Sequence, residues 1–246
     1  MRGYLIKYII YFLSLYAILP LMSKLPLAPR SVSDRIHELV RHEILGGKYL
    51  PGDVLRQDDL AARFGVSKIP LREAFSRLES EGMLVLRPRR GYAVASLDQA
   101  EIVEIFELRA LIETHAARLA AEHHQEEDAG RVTRLAGDMM ALDRNAADYH
   151  SRWCQLNRDF HGAIIQACRQ RHVIRMALQL RDIIEPYIRL DTTMSTSDAA
   201  ADREHNQIAT AFVARNSGLV GALSAAHCYH TRDRLLASLR AQGRAA

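Results

Sequence analysis

Cysteine is scarce in this 246-residue chain: Cys154, Cys168 and Cys228 lie far apart and form no C-x-x-C pair. An odd, scattered set excludes a disulfide scaffold and a thiolate zinc finger, and it suits a reducing cytoplasm. The three are expected as small buried apolar side chains. No long repeat and no heptad run occurs, and the H-E-x-x-H signature of zinc hydrolases is absent. From Leu97 onward the alternation of a strand is missing. Net charge is small, +4. With 48% hydrophobic and 25% charged residues, the composition excludes a mainly disordered or collagen-like chain, and the length suits two modest domains.

The charge that is present is unevenly placed. Residues 22–98 hold 13 basic and 10 acidic side chains, against 18 and 19 in residues 99–246. The positive excess of the front third favours an anionic partner there. Ahead of it, residues 1–22 form an apolar extension, broken only by Lys7, Ser14 and Pro20 after Leu5. It reads as a signal peptide or short membrane anchor flanked by Arg2 and Lys7, or as sequence upstream of a true start at Met22. Its longest stretch, Tyr8–Leu19, is short for a span, and no small-x-small cleavage pattern follows. The start at Met22 is preferred, and no membrane partner is expected unless residues 1–22 are retained.

Residues 23–96 carry a recognisable order of elements. Ile36, Leu39, Val40 and Ile44 give a helix over 33–45 that stops at Gly46-Gly47. After the Pro51-Gly52 turn, a short helix over 57–64 buries Leu60, Ala61 and Phe64 and breaks at Gly65. Ser67 is placed to cap the next helix, with Pro70 in its first turn and an apolar stripe of Leu71, Ala74, Phe75 and Leu78. Two strand-like pieces, 83–86 and 92–95, flank Arg87-Pro88-Arg89-Arg90-Gly91. This predicts a winged helix-turn-helix with a two-stranded hairpin. The remainder, 97–246, predicts an all-helical bundle with helices over 98–124, 126–146, 148–169, 172–191, 199–215 and 217–241. The fold class is therefore mainly α.

The third helix is the candidate for the major groove of double-stranded DNA. Its apolar stripe faces the core, so Lys68, Ile69, Arg72 and Ser76 face outward. Lys68 and Arg72 are i,i+4 neighbours suited to guanine edges and phosphates, and Ser67 offers a hydroxyl at a helix N-terminus. The wing adds Arg87, Arg89 and Arg90 beside Gly91, where it would touch the backbone or an adjacent groove.

The runs Pro51-Gly52-Asp53-Val54-Leu55-Arg56-Gln57-Asp58-Asp59-Leu60-Ala61, Gly65-Val66-Ser67-Lys68-Ile69-Pro70-Leu71-Arg72-Glu73-Ala74 and Leu78-Glu79-Ser80-Glu81-Gly82-Met83 resemble the GntR family of bacterial transcription regulators. The family usually carries Ser-Arg-Thr-Pro-Val-Arg-Glu-Ala at the recognition helix; here Lys68 and Ile69 replace the arginine and the threonine. Lysine loses the bidentate fork, and isoleucine trades a hydroxyl for an apolar contact that suits a thymine methyl. The resemblance carries Arg72 over most securely.

Among eleven histidines, spacing singles out His161. Asn157 precedes it on the same helical face, and His205 and His227 come from later helices, so the four can converge inside a bundle; a satisfied histidine in a polar core is the alternative. The helical part resembles the FCD domain of the FadR branch, through Asn157-Arg158-Asp159-Phe160-His161, Glu204-His205 and the late helix carrying Ala225-Ala226-His227. That resemblance implies a divalent metal held by Asn157, His161, His205 and His227, with a carboxylate effector completing the coordination. Asn157 stands where aspartate is frequent, which leaves a weaker metal site or a metal-free anion pocket open. Three imidazoles favour zinc or nickel over magnesium. The resemblance also implies that Arg109 points inward to clamp the effector carboxylate; the alternative is an i,i+4 surface pair with Glu113.

The resulting expectation is a cytoplasmic, homodimeric, ligand-responsive regulator: a repressor released by a small organic acid, reading a palindromic operator. Two rival readings are a metal-dependent hydrolase using the histidines and a membrane-tethered form of the regulator. The hydrolase needs a general base at a metal-bound water, and Glu204 is expected to point elsewhere.

Overall fold

The computed structural model describes residues 31–88, 90–194 and 198–241; the apolar extension and wing residue Arg89 lie outside them. Helix α1 (Val32–Leu45) begins with a reciprocal capping box in which Ser31 and Asp34 satisfy each other's amides. Strand β1 (Val54–Leu55) follows, then α2 (Gln57–Phe64), α3 (Lys68–Ser80), β2 (Leu84–Arg87) and β3 (Gly91–Val94). Gly65 turns α2 into α3 with φ +64, a left-handed conformation that glycine adopts without a Cβ penalty. Leu71, Ala74, Phe75 and Leu78 pack on Val40, Ile44, Leu55 and Leu60, and Phe75 meets Tyr92 edge-on with ring centroids 5.2 Å apart.

The expected two-stranded hairpin is a three-stranded antiparallel sheet of order β1-β3-β2, with Val54 opposite Ala93 and Leu84 opposite Val94. The added strand is two residues long, too short to show an alternation in the sequence.

The helical domain comprises α4 (Gln99–His123), α5 (Glu126–Met140), α6 (Tyr149–Ala167), α7 (Arg171–Met194), α8 (Asp198–Val213) and α9 (Ser217–Ala241). Asp98 and Glu101 form a second capping box at the start of α4. Two helix ends differ from expectation. Helix α5 stops at Met140, six residues early, and just beyond it the Asp143 side chain accepts from the Asn145 amide in a local turn. Helix α7 runs on to Met194 and contains Pro186.

Helices α4 and α9 lie closest together. A Cβ at Gly221 would stand 2.7 Å from Cγ of Arg118, so a larger residue there would require the Arg118 side chain to move. One core is built around Ala117, Phe160, Ile208 and Phe212, and a second around Phe106, Ile184 and Leu235.

The outer face of α7 carries the junction between domains. Arg41 of α1 donates from Nε to Asp182 at 3.1 Å, Arg189 donates to the Leu45 carbonyl, and Ile183 packs at Gly82. Asp182 uses its other oxygen to accept from Arg158 of α6 at 2.6 Å.

Candidate functional site

Two sites emerge, one in each domain. In the winged domain, Lys68, Arg72, Arg90 and Gly91 line one open groove between α3 and the wing. Ser67 and Ile69 are exposed at the start of α3, Ile69 at 70%, so this apolar side chain projects where a duplex would lie. Ser67 occupies the N-cap position, but its hydroxyl makes no capping bond. Gly91, at φ +84, turns the wing tip, and Arg87 pairs opposite it in the sheet, half-buried.

The sequence reading missed the groove's own counter-groups. Lys68 Nζ pairs with Asp58 at 2.5 Å, and Arg72 Nε donates to Gln57 at 3.4 Å. Arg56, at the N-terminus of α2, adds a further cation to the groove. Both partners sit in the first turn of α2, and only the docking of α2 against α3 brings them across.

In the helical domain, α6 contributes Asn157 and His161, α8 contributes His205 and α9 contributes His227. The ligand atoms of the three histidines lie within 4.8 Å of one another, the one such group among the described residues. Nε2 of His161 and Nε2 of His205 stand 3.2 Å apart. Two nitrogens on one tetrahedral zinc, at bond lengths of about 2.0–2.1 Å, are separated by roughly 3.3 Å, so this pair stands at the spacing such an ion requires. Asn157 is buried beside them and lines the same cavity as His161 and His227. Burial, reinforced for His161 and His205 by surrounding cationic groups, pushes these two imidazoles well below their usual range; burial lowers His227 as well. All three are therefore held neutral, the form that binds metal.

Arg109 is not a surface residue. It is 2% exposed and donates from Nε to Glu113 at 2.7 Å, while Arg181 of α7 donates to the other oxygen at 3.1 Å. Burial raises the Glu113 carboxyl, but the two guanidiniums outweigh it and leave the pKa below the ordinary carboxylate value. Nη1 of Arg109 is buried without a hydrogen-bond partner among the described residues, a cost that an anion in the cavity would relieve. Arg181 and Arg234 line this cavity too, and neither was singled out from the sequence.

Glu204 was expected to point away from the cluster. Its carboxylate instead bridges His227 Nδ1 at 2.7 Å and His230 Nδ1 at 2.8 Å. It thus acts from outside, fixing Nδ1 of His227 as the donor and leaving Nε2 for a ligand. In that position it orients an imidazole and has no free edge towards the cavity for proton transfer.

Comparison with known proteins bears on both sites. Residues 32–94 match the model of bacterial regulatory proteins of the gntR family, and residues 104–230 match that of the FCD domain. The HTH-type transcriptional repressor GlaR of Escherichia coli (strain K12) is 27% identical over 194 residues, covering 76% of this chain and 88% of that protein. The probable D-xylose utilization operon transcriptional repressor of Paenarthrobacter nicotinovorans is 27% identical over 146 residues, covering 59% and 63%. Among solved structures, that of McbR/YncC of Escherichia coli superposes with a TM-score of 0.75 at 21% identity, covering 84% of this chain and 98% of that one.

Proposed function

This chain belongs to the GntR family of bacterial transcription regulators and carries an FCD domain, and on that footing we propose that it is a homodimeric repressor released by a small carboxylate. It is a regulator rather than an enzyme, as its relatives are. Supporting repression, GlaR, RspR and the D-xylose utilization operon regulator bear the name repressor. Two recognition helices in a dimer would enter successive major grooves about 34–36 Å apart on a palindromic operator. Lys68, Arg72 and Ile69 read the groove, while Ser67, Arg87, Arg89, Arg90 and Gly91 meet the backbone.

The observation that carries the reading is the double role of α7. One face supplies Arg181 to the buried cavity, and the other holds Arg41 and Leu45 of the winged domain. A ligand that repositions α7 therefore repositions the DNA-reading unit, which is how differential binding becomes a change in DNA affinity. In the cavity, Arg109 and Arg181 take the carboxylate, and Asn157, His161, His205 and His227 hold zinc or nickel. When bound, the metal supplies a Lewis-acidic contact for the same carboxylate. No helix among the described residues is long and apolar enough to cross a membrane, and the reading places the protein in the cytoplasm with its DNA.

Titration of the protein against its own upstream DNA by fluorescence anisotropy, with and without zinc and a panel of hydroxy- and dicarboxylic acids, tests this. The expected result is sequence-specific, salt-dependent binding that one acid weakens. Binding that is the same for operator and random DNA overturns it.

A further inference from the structure

Glu185 of α7 is 1% exposed, and neither of its oxygens accepts a hydrogen bond among the described residues. A buried carboxylate in that condition is costly unless nearby cations offset it. Burial raises its carboxyl above the usual carboxylate value, against the pull of three guanidiniums: Arg158 of α6, and Arg181 and Arg189 one turn before and one turn after it on α7. Asp182 is already divided between Arg41 and Arg158, and Glu113 of α4 also holds Arg181, at 3.1 Å. Arg189 is the cation with a choice. The single hydrogen on its Nε is donated to the carbonyl of Leu45, at the C-terminal end of α1, where helix carbonyls lack partners within the helix. Oε1 of Glu185 stands 4.0 Å from the same nitrogen, beyond hydrogen-bond range. A linear bond from this N–H to one acceptor forgoes a linear bond to the other.

We propose that Glu185 is the positioning residue that links the cavity to the winged domain, by taking the Nε–H of Arg189 from Leu45 when Arg181 is drawn away. The proposal rests on the carboxylate reading above. Arg181 lines the cavity and Glu185 does not. An anion that engages Arg181 there takes up part of the positive charge that offsets Glu185. The buried carboxylate then closes the 4.0 Å gap to Arg189 and gains a charge-assisted hydrogen bond. Leu45 loses its donor, and α1 keeps Arg41 on Asp182 but loses its second tie to α7. The recognition helices are then no longer held at the spacing the operator requires. Asp191, which also lines the cavity, accepts from Ser238 and lies two positions past Arg189, on another face of the helix.

Operator affinity by fluorescence anisotropy, and the proton–nitrogen resonance of Arg189 Nε, assigned by its loss in Arg189→Lys, test this in the full chain. Arg181→Gln withdraws the cation without any ligand while keeping a donor for Glu113. Operator affinity is expected to fall about tenfold, within the roughly 5–150-fold range of allosteric couplings, and the Arg189 resonance to shift. Adding Glu185→Gln to that variant is expected to restore affinity to within about threefold of the wild type and to return the resonance, a coupling that a double-mutant cycle measures. In the wild type, whichever of lactate, malate and succinate binds by calorimetry shifts the same resonance. In Glu185→Gln that acid binds as before but leaves operator affinity unchanged. A double variant as weak as Arg181→Gln alone overturns the link. A resonance that stays in place, as closure on the unpartnered Nη1 of Arg158 would leave it, overturns it too. Acid that weakens operator binding equally in Glu185→Gln also overturns the link, while leaving the carboxylate reading standing. Failure of every acid to bind the wild type overturns the carboxylate reading, and the Arg181→Gln cycle still decides the link.

Discussion

Asp58 and Gln57 decide what the recognition helix can offer a duplex. In the free protein Lys68 pairs with Asp58, and Arg72 contacts Gln57, so the two reading side chains already have partners that DNA must displace. Binding DNA exchanges these contacts for base edges and phosphates. Arg72→Ala is expected to cost about 1–3 kcal/mol of operator affinity and to relax preference at one base pair. Asp58→Asn frees Lys68 and is expected to raise affinity for operator and random DNA alike, with a steeper salt slope. Anisotropy titrations at several salt concentrations check both. At this scale the shared face of Asn157 and His161 was legible, because i,i+4 spacing on α6 is a local signal. Glu204 was not. Neighbouring helix positions point about 100° apart, so facing away from His205 was readable, but facing His227 depends on where α9 lies. The same holds for Arg181, whose significance comes from Glu113 on α4, 68 residues earlier in the chain.

Helix α7 is the element on which the two halves of the molecule meet. Its presence was readable as a helix over 172–191, but nothing local says that Asp182 and Arg189 touch another domain. The winged domain was legible almost throughout, because its turns are marked by Gly65, Pro51-Gly52 and Gly91 and its core positions keep helical spacing. Strand β1 escaped because two residues carry no period, and the end of α5 escaped because Ala141 and Leu142 favour helix until the Asp143 turn intervenes. If α7 transmits the signal, Asp182→Asn weakens its hold on both Arg41 and Arg158. The acid-induced loss of DNA affinity is then expected to shrink by about 0.5–2 kcal/mol, while acid affinity measured by calorimetry and DNA affinity without acid stay within threefold. A variant that loses DNA binding outright would place Asp182 in the stability of the winged domain instead.

For the whole molecule, the proposed homodimer needs a face on which a second copy would sit. Helix α4 buries one face against α9 and leaves Leu108 and Leu111, three residues apart, exposed at 45% and 71%. Apolar side chains of this size on one side of a central helix are suited to a subunit interface. Leu111→Asp is expected to shift the protein towards monomer in sedimentation velocity and to reduce operator affinity at least tenfold, because a single half-site contact replaces two. Unchanged sedimentation would move the interface elsewhere.

Pro186 gives α7 a mechanical character that a plain helix of 24 residues lacks. A proline cannot donate to the carbonyl four residues back, and its ring crowds that carbonyl; here the carbonyl belongs to Asp182. The helix therefore lacks one backbone hydrogen bond at Asp182, the residue that grips both the winged domain and α6. Under the proposed release by a carboxylate, a small change of angle at this turn, multiplied by the length of the arm to α3, would become a larger excursion at the DNA.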